Sequence, residues 1–196
     1  MAASDSNHET EIKLRVRDAG TGRRLLKSAG FGVLRRRLFE RNVLFDTPAG
    51  DLRSRRCLLR VRRAGRRAIL TFKGAPEAGR HKSREEIELG LDEPEQFEAI
   101  LERLGYQPVF RYEKFRTEYG RSGEPGVATL DETPIGFFFE LEGPSGWIDR
   151  TAAELGFAEP DYILASYATL YVAYCQERGI QPTDMTFGTA NPSIPP

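Results

Sequence analysis

The chain has 196 residues, 30% of them charged and 39% hydrophobic, with a formal net charge of zero. That length supports one domain with a proper core, and no apolar run approaches the roughly 20 residues of a membrane helix. Two cysteines and two histidines argue against a disulfide framework and a histidine-built zinc site, so a metal here would be held by oxygen, which favours Mg2+ or Mn2+.

The neutral total hides an asymmetry. Residues 1–75 carry 19 Lys/Arg against 7 Asp/Glu, and the remainder carries the matching acidic surplus. A basic first part suggests an anionic partner, and an acidic second part suggests one that also tolerates carboxylates. The opening MAASDSN has no basic region followed by an apolar core, so the cytoplasm is the default location.

In chain order, the first strand is HETEIKLRV, residues 8–16, where Glu9, Glu11 and Lys13 share one face and Ile12, Leu14 and Val16 the other. Two carboxylates on neighbouring same-face positions repel unless water or a cation lies over them. A helix over TGRRLLKSAG stops at Gly30. The strands FERNVLFDT, CLLRVRR and AILTFKG follow, the last two joined by the turn RRAGRR. Then come the strand SREEIELGL, the helix EPEQFEAILERLG, and the strands YEKFRTEY, VATLDET and FFFELEG, the final pair joined at DETPIG. The period-two alternation carries the strand assignments, and acidic starts with glycine stops carry the helices.

A short helix fits DRTAAELG, with Asp149 as its cap. The last helix, SYATLYVAYCQERG, opens at Ser166, and its Tyr167, Leu170, Tyr171 and Tyr174 form a stripe that reads as packing against the sheet. Cys175 on that helix reads as a buried free thiol. From Pro182 the chain is turn-rich and reads as unstructured. Residues 1–7 thus form a flexible N-terminus, 8–180 one domain, and 181–196 a disordered tail.

An internal repeat underlies this order. TEIKL matches EEIEL, SAGF matches RLGY, and Arg41 matches Arg116, all at an offset of 75 residues; ILTFKG matches FFELEG at an offset of 69. In that register Arg60 and Arg62 fall on Thr129 and Asp131, while Thr71 and Lys73 fall on Glu140 and Glu142. One half donates cations where the other donates carboxylates.

For a lone strand, such charges face solvent. Eight strands alternating together suggest a sheet closed on itself, with apolar residues outward under the helices and charges lining a wet interior. Charges inside a barrel are costly unless paired or holding ligands. Guanidinium forks grip phosphate oxygens, and carboxylates reach phosphate through a bridging metal ion. On this reading a metal joins Glu9 and Glu11, and Lys13 faces phosphate.

These residues resemble the CYTH domains of the triphosphate tunnel metalloenzymes, whose mark is an N-terminal ExExK strand, here Glu9, Glu11 and Lys13. The resemblance covers nearly all of residues 8–178 and includes LFDT, LLRVR, TFKG, SREEIE, EKFR and LDE…FFELE. It implies an α+β fold built on an eight-stranded antiparallel tunnel with helices outside. It further implies that Glu9, Glu11, Glu140 and Glu142 are metal ligands, and that Lys13, Arg60, Arg62, Lys73, Lys114 and Arg116 bind phosphate. Arg84 and Glu86 lie on a tunnel strand with a substrate or tuning role, and Asp131 matches an acidic position associated with metal or water. Glu11, Lys13, Glu86 and Asp131 are the set that would carry chemistry. Arg15, Arg41 and Glu88 also face inward by alternation and are assigned to charge pairing inside the tunnel.

The resemblance implies Mg2+- or Mn2+-dependent chemistry on a small-molecule triphosphate: hydrolysis by a triphosphatase, or cyclisation of ATP by a class IV adenylate cyclase. A non-catalytic polyphosphate or nucleotide binder is the third reading. Nucleic acid is disfavoured because the acidic half would repel a phosphate backbone. No membrane partner is expected, and a homodimer is left open.

Overall fold

A computed structural model describes residues 8–190. Eight strands form one antiparallel sheet: β1 (His8–Val16), β2 (Gly32–Asp46), β3 (Leu58–Ala64), β4 (Arg67–Lys73), β5 (Lys82–Leu91), β6 (Gln107–Gly120), β7 (Val127–Thr133) and β8 (Gly136–Glu142). The sheet closes into a barrel in the order β1-β5-β4-β3-β2-β6-β7-β8. Closure gives every strand a neighbour on both sides over part of its length, so a polar face can be turned inward without an edge strand running the length of the sheet.

The barrel order is unchanged when β1 to β4 are exchanged with β5 to β8, which is the internal repeat written in topology. The register follows it. Arg60 opposite Thr71 corresponds to Thr129 opposite Glu140, and Lys73 opposite Glu86 corresponds to Glu142 opposite Glu11. In β2 and β6 the halves are slipped by one residue relative to the sequence match. Glu40 lies opposite Lys114, and Asn42 opposite Arg62 corresponds to Arg116 opposite Asp131. The Arg41 match to Arg116 is therefore out by one, and because strand side chains alternate, Arg41 turns outward. It stands exposed, 5.4 Å over the Phe39 ring and 3.7 Å from Glu113. Asn42 takes the inward place.

Helices α1 (Ala19–Ser28), α3 (Pro94–Arg103), α4 (Ser145–Glu154) and α5 (Tyr167–Glu177) cover much of the outward apolar surface, but not that of β5, where Ile87 and Leu89 stand exposed against expectation; α2 (Asp51–Ser54) and α6 (Phe187–Ala190) are single turns. α1 and α4 bury Ile12, Leu14, Phe139 and Leu141. Each such side chain removed from water is worth about 2 kcal/mol. α1 lies close enough that a Cβ on Gly22 would sit 2.8 Å from Leu130, and Trp147 of α4 fills the space that a Cβ on Gly126 would need.

Two helix expectations change. α4 begins at Ser145 rather than at Asp149, because Trp147 and Ile148 are themselves core residues of its first turn. Asp149 is instead a mid-helix acceptor for Arg80, His81 and Tyr162. α2 has no apolar periodicity to announce it; Asp46 makes it by accepting the N–H groups of Thr47, Leu52 and Arg53.

The segment after Pro182 is not loose. Met185 pairs with Tyr112 of β6 through a single parallel β-bridge, its side chain is fully buried, and Phe187 packs on Phe39 and Phe115. The turn-rich composition hid a backbone that satisfies the free edge of β6 next to an apolar anchor. Residues 1–7 and 191–196 lie outside the described residues. No helix among the described residues is long and apolar enough to cross a membrane.

Candidate active site

The barrel encloses a cavity of about 1070 Å³, at the upper end of the range for small-molecule sites. Twelve of the thirteen candidate positions line it; Asp131 does not. The ladder between β1 and β8 sets Glu11 opposite Glu142 and Lys13 opposite Glu140, while β5 sets Arg84 opposite Glu9 and Lys82 opposite Glu11.

Every inward carboxylate but Glu142 has a cation within ion-pair reach among the described residues. Glu11 Oε1 accepts from Lys82 Nζ at 2.8 Å and Lys13 Nζ at 3.3 Å, and Lys13 also lies 3.4 Å from Glu140. Lys73 is shared between Glu9 and Glu86, 3.1 Å from the latter. Arg116 pairs with Glu140. Arg60 donates to the hydroxyls of Tyr112 and Thr71, and Glu88 accepts from Arg62 at 3.3 Å and Thr71 at 2.9 Å. Glu88 thus does the inward charge pairing expected of it. Arg15 does not: β1 has passed the end of the cavity there, and the exposed guanidinium sits 4.8 Å over Phe138.

Asp131 is fully buried beneath the cations. It accepts from Lys114 at 2.7 Å, from Nε and Nη2 of Arg116 at 2.7 and 2.6 Å, and from the Tyr167 hydroxyl at 2.8 Å. Its geometry is that of an anchor, holding one ammonium and one guanidinium toward the lumen. Tyr167 carries the aromatic stripe of α5 into the site: packed in the core, it also lies 5.3 Å from Lys13 Nζ and 5.2 Å from Lys114 Nζ across its ring face.

The same crowding sets the protonation states. Burial opposes charge on Glu11 and Glu140, but Lys13 and Lys82 around the first, and Arg116, Lys114 and Lys13 around the second, hold both carboxyls below the usual range. Burial, reinforced by Glu9 and partly offset by Lys73, pushes Glu86 up to about 7. Glu142 is also pushed up to about 7, by its enclosure and then by Glu9 and Glu11, although it stands exposed at the rim where solvent moderates the effect. Burial, with Lys13 and Arg84 nearby, brings Lys82 down to about 8 against the pull of Glu11.

No group of three or more metal-binding side chains among the described residues is drawn together as a ready cation site; the carboxylates are turned to Lys and Arg instead. The donors nonetheless fit a hard divalent ion. They are oxygens only, and they sit on the adjacent strands β1 and β8, with Glu11 opposite Glu142 in the ladder. Glu40 Oε2, Arg60 Nε, Arg84 Nε and Thr129 Oγ1 are buried around the lumen without a hydrogen-bond partner, valences that a polar ligand can take up.

Glu40 and Lys82 are among the inward residues that escaped the sequence reading. Glu40, 3.8 Å from Lys114, was masked by the slipped match at Arg41. Lys82 precedes the SREEIE motif and is legible by extending its alternation back one step.

The fold and lumen define a tunnel protein whose polar site is the inside of a closed barrel. The CYTH domain family model matches residues 7–159. The chain belongs to the CYTH domain family. It is 30% identical over 135 residues to "Putative adenylate cyclase MJ0240" of Methanocaldococcus jannaschii, covering 68% of this chain and 75% of that protein. Among solved structures, a "putative adenylate cyclase" of Vibrio parahaemolyticus superposes with a TM-score of 0.72 at 21% identity, covering 84% of this chain and 97% of that one. HpAC1 of Hippeastrum, described as a "putative adenylyl cyclase" with a dominant triphosphatase activity, superposes with a TM-score of 0.61 at 23% identity, covering 89% and 97%. At these identities the two structural matches establish the fold.

Proposed function

We propose that the chain is a divalent-metal-dependent phosphohydrolase acting on a triphosphate, either inorganic tripolyphosphate or a nucleoside or thiamine triphosphate, held in the tunnel. The observation that carries this reading is the lumen itself: Arg60, Arg62, Lys73, Arg84, Lys114 and Arg116 converge with a set of carboxylates inside one cavity. A pure polyanion binder needs the cations and is weakened by the acids, so the joint presence of both favours chemistry over mere binding.

Glu9, Glu11, Glu140 and Glu142 would hold Mg2+ or Mn2+. The bound ion would supply charge neutralisation on phosphate oxygens. The guanidinium forks grip the chain in pairs and fix its position. Lys13, fixed between Glu11 and Glu140, offers its ammonium to the oxygen on which charge develops. Glu86, poised at about 7, is the group to take a proton from an attacking water at neutral pH. Asp131, out of reach of the lumen, keeps Lys114 and Arg116 aimed rather than touching the reacting atoms.

The second reading is a class IV adenylate cyclase, in which the ribose 3′-hydroxyl of ATP attacks the α-phosphorus and pyrophosphate leaves. The name of the Methanocaldococcus relative favours it; the triphosphatase activity described for HpAC1 favours hydrolysis. One assay separates them: ATP and tripolyphosphate offered separately with Mg2+ and then Mn2+, with products resolved by phosphorus NMR. Orthophosphate from tripolyphosphate supports the hydrolase, cyclic AMP with pyrophosphate supports the cyclase, and tight binding without turnover of either leaves a binding module.

A further inference from the structure

Lys82 stands apart from the other lumen cations. It opens β5, is 7% exposed, and lies opposite Glu11 in the ladder. Its Nζ donates to Glu11 Oε1 at 2.8 Å, and no other carboxylate among the described residues lies within ion-pair reach of it. Its neighbours have alternatives: Lys13 also has Glu140, Lys73 has both Glu9 and Glu86, and Arg84 reaches Glu9 and Glu11 equally at 3.9 Å. Both side-chain hydrogen bonds that Glu11 accepts fall on Oε1. An ion taken up by Glu11 must compete with Lys82 for that carboxylate. Held 7% exposed at the start of a barrel strand, the displaced ammonium stays within the lumen, where a new anion compensates it best.

We propose that Lys82 couples the two ligands of the tunnel: it holds Glu11 until a phosphate oxygen takes over its ammonium, so that divalent cation and triphosphate favour each other's binding. The inference rests on the metal-and-triphosphate reading above and names the residue that links the two. The coupling is reciprocal, since whatever releases Lys82 from Glu11 for one ligand releases Glu11 from Lys82 for the other. The sign is fixed by charge. An ammonium beside a metal ligand opposes a divalent cation and attracts a polyanion, and in a partly desolvated site each effect amounts to about tenfold or more in affinity.

The test is calorimetric titration of the full chain with Mn2+ alone, and separately with tripolyphosphate in chelator. Lys82→Met is expected to bind Mn2+ about tenfold more tightly and tripolyphosphate about tenfold more weakly, with Lys82→Arg close to wild type. Losses on both ligands, or no change on either, would overturn the coupling, because a residue that only supports the fold cannot improve metal binding. Glu11→Gln gives an independent arm should Lys82→Met not fold: with its only partner neutralised, Lys82 is expected to draw metal-free tripolyphosphate several-fold tighter than in wild type, and equal or weaker binding refutes the proposal. Wild-type protein that binds neither ligand overturns the tunnel reading itself, a failure visible before any variant is made.

Discussion

Asp131 offers the sharpest test of how the lumen is held open. It is fully buried and balances Lys114 and Arg116 while accepting from Tyr167. Asp131→Asn preserves volume and one acceptor but removes the charge. Taking one partner from a buried ion pair costs about 3–5 kcal/mol, since it strands the other. Here Glu140 still meets Arg116 and Glu40 stands 3.8 Å from Lys114, so the lower end, about 3 kcal/mol, is expected. For a chain of this size that is a fall in Tm of about 6–12 °C. Tripolyphosphate returns the missing charge from the lumen side, so the ligand-induced rise in Tm is expected to be larger in the variant than in wild type. Scanning calorimetry with and without tripolyphosphate reads both numbers. A ligand-free variant as stable as wild type would refute the anchoring role.

Glu86→Gln tests the raised carboxyl. A folded-state pKa of about 7 against an unfolded value near 4.3 means that Glu86 favours the fold below about pH 4 and loses that contribution as pH rises through 7. The metal-free variant is therefore expected to gain about 2 kcal/mol over wild type at pH 8 and little at pH 4, in paired denaturant titrations; a gain that is flat with pH removes the assignment. Arg62→Ala, which loses a guanidinium paired among the described residues only with Glu88, two strands away past β4, is expected to weaken tripolyphosphate binding at least tenfold and orthophosphate binding far less; equal losses would argue against contact with a phosphate chain. Met185→Ala should cost about 2–3 kcal/mol in urea titrations because a fully buried side chain is truncated; no loss would mean that the Met185 bridge contributes nothing to the barrel.

The barrel and most of its lining were legible because one signal, strict alternation, decides both fold and site. At the centres of β3 and β8, in LRVR and FELE, the alternation is clean, so Arg60, Arg62 and Glu140 could be assigned inward from the sequence. Where the strand is irregular that signal fails. β2 runs through register shifts between Val33 and Leu38, and a slip of one residue exchanged Arg41 for Glu40 and Asn42. Asp131 has the right parity, yet parity cannot tell a lumen-facing acid from one sealed under an arginine and a tyrosine that arrives from α5. The tail was misread for a different reason. Met185 owes its burial to a vacancy along β6 that only the finished barrel creates.

The exchange of the two halves leaves the barrel order unchanged, and because β1 and β5 are antiparallel neighbours, the rotation that relates them swaps the two mouths of the tunnel. The eight strands by themselves therefore give a linear ligand no preferred direction of entry. Direction is written in side chains that differ between the halves, such as Lys73 against Glu142 and Thr71 against Glu140, and in α5, which follows the second half alone and brings Tyr167 to the lumen. A phosphate chain threaded one way brings its terminal phosphorus to a given carboxylate; threaded the other way, it brings an inner one. Reversing that choice requires changes at a handful of lumen positions and no new fold.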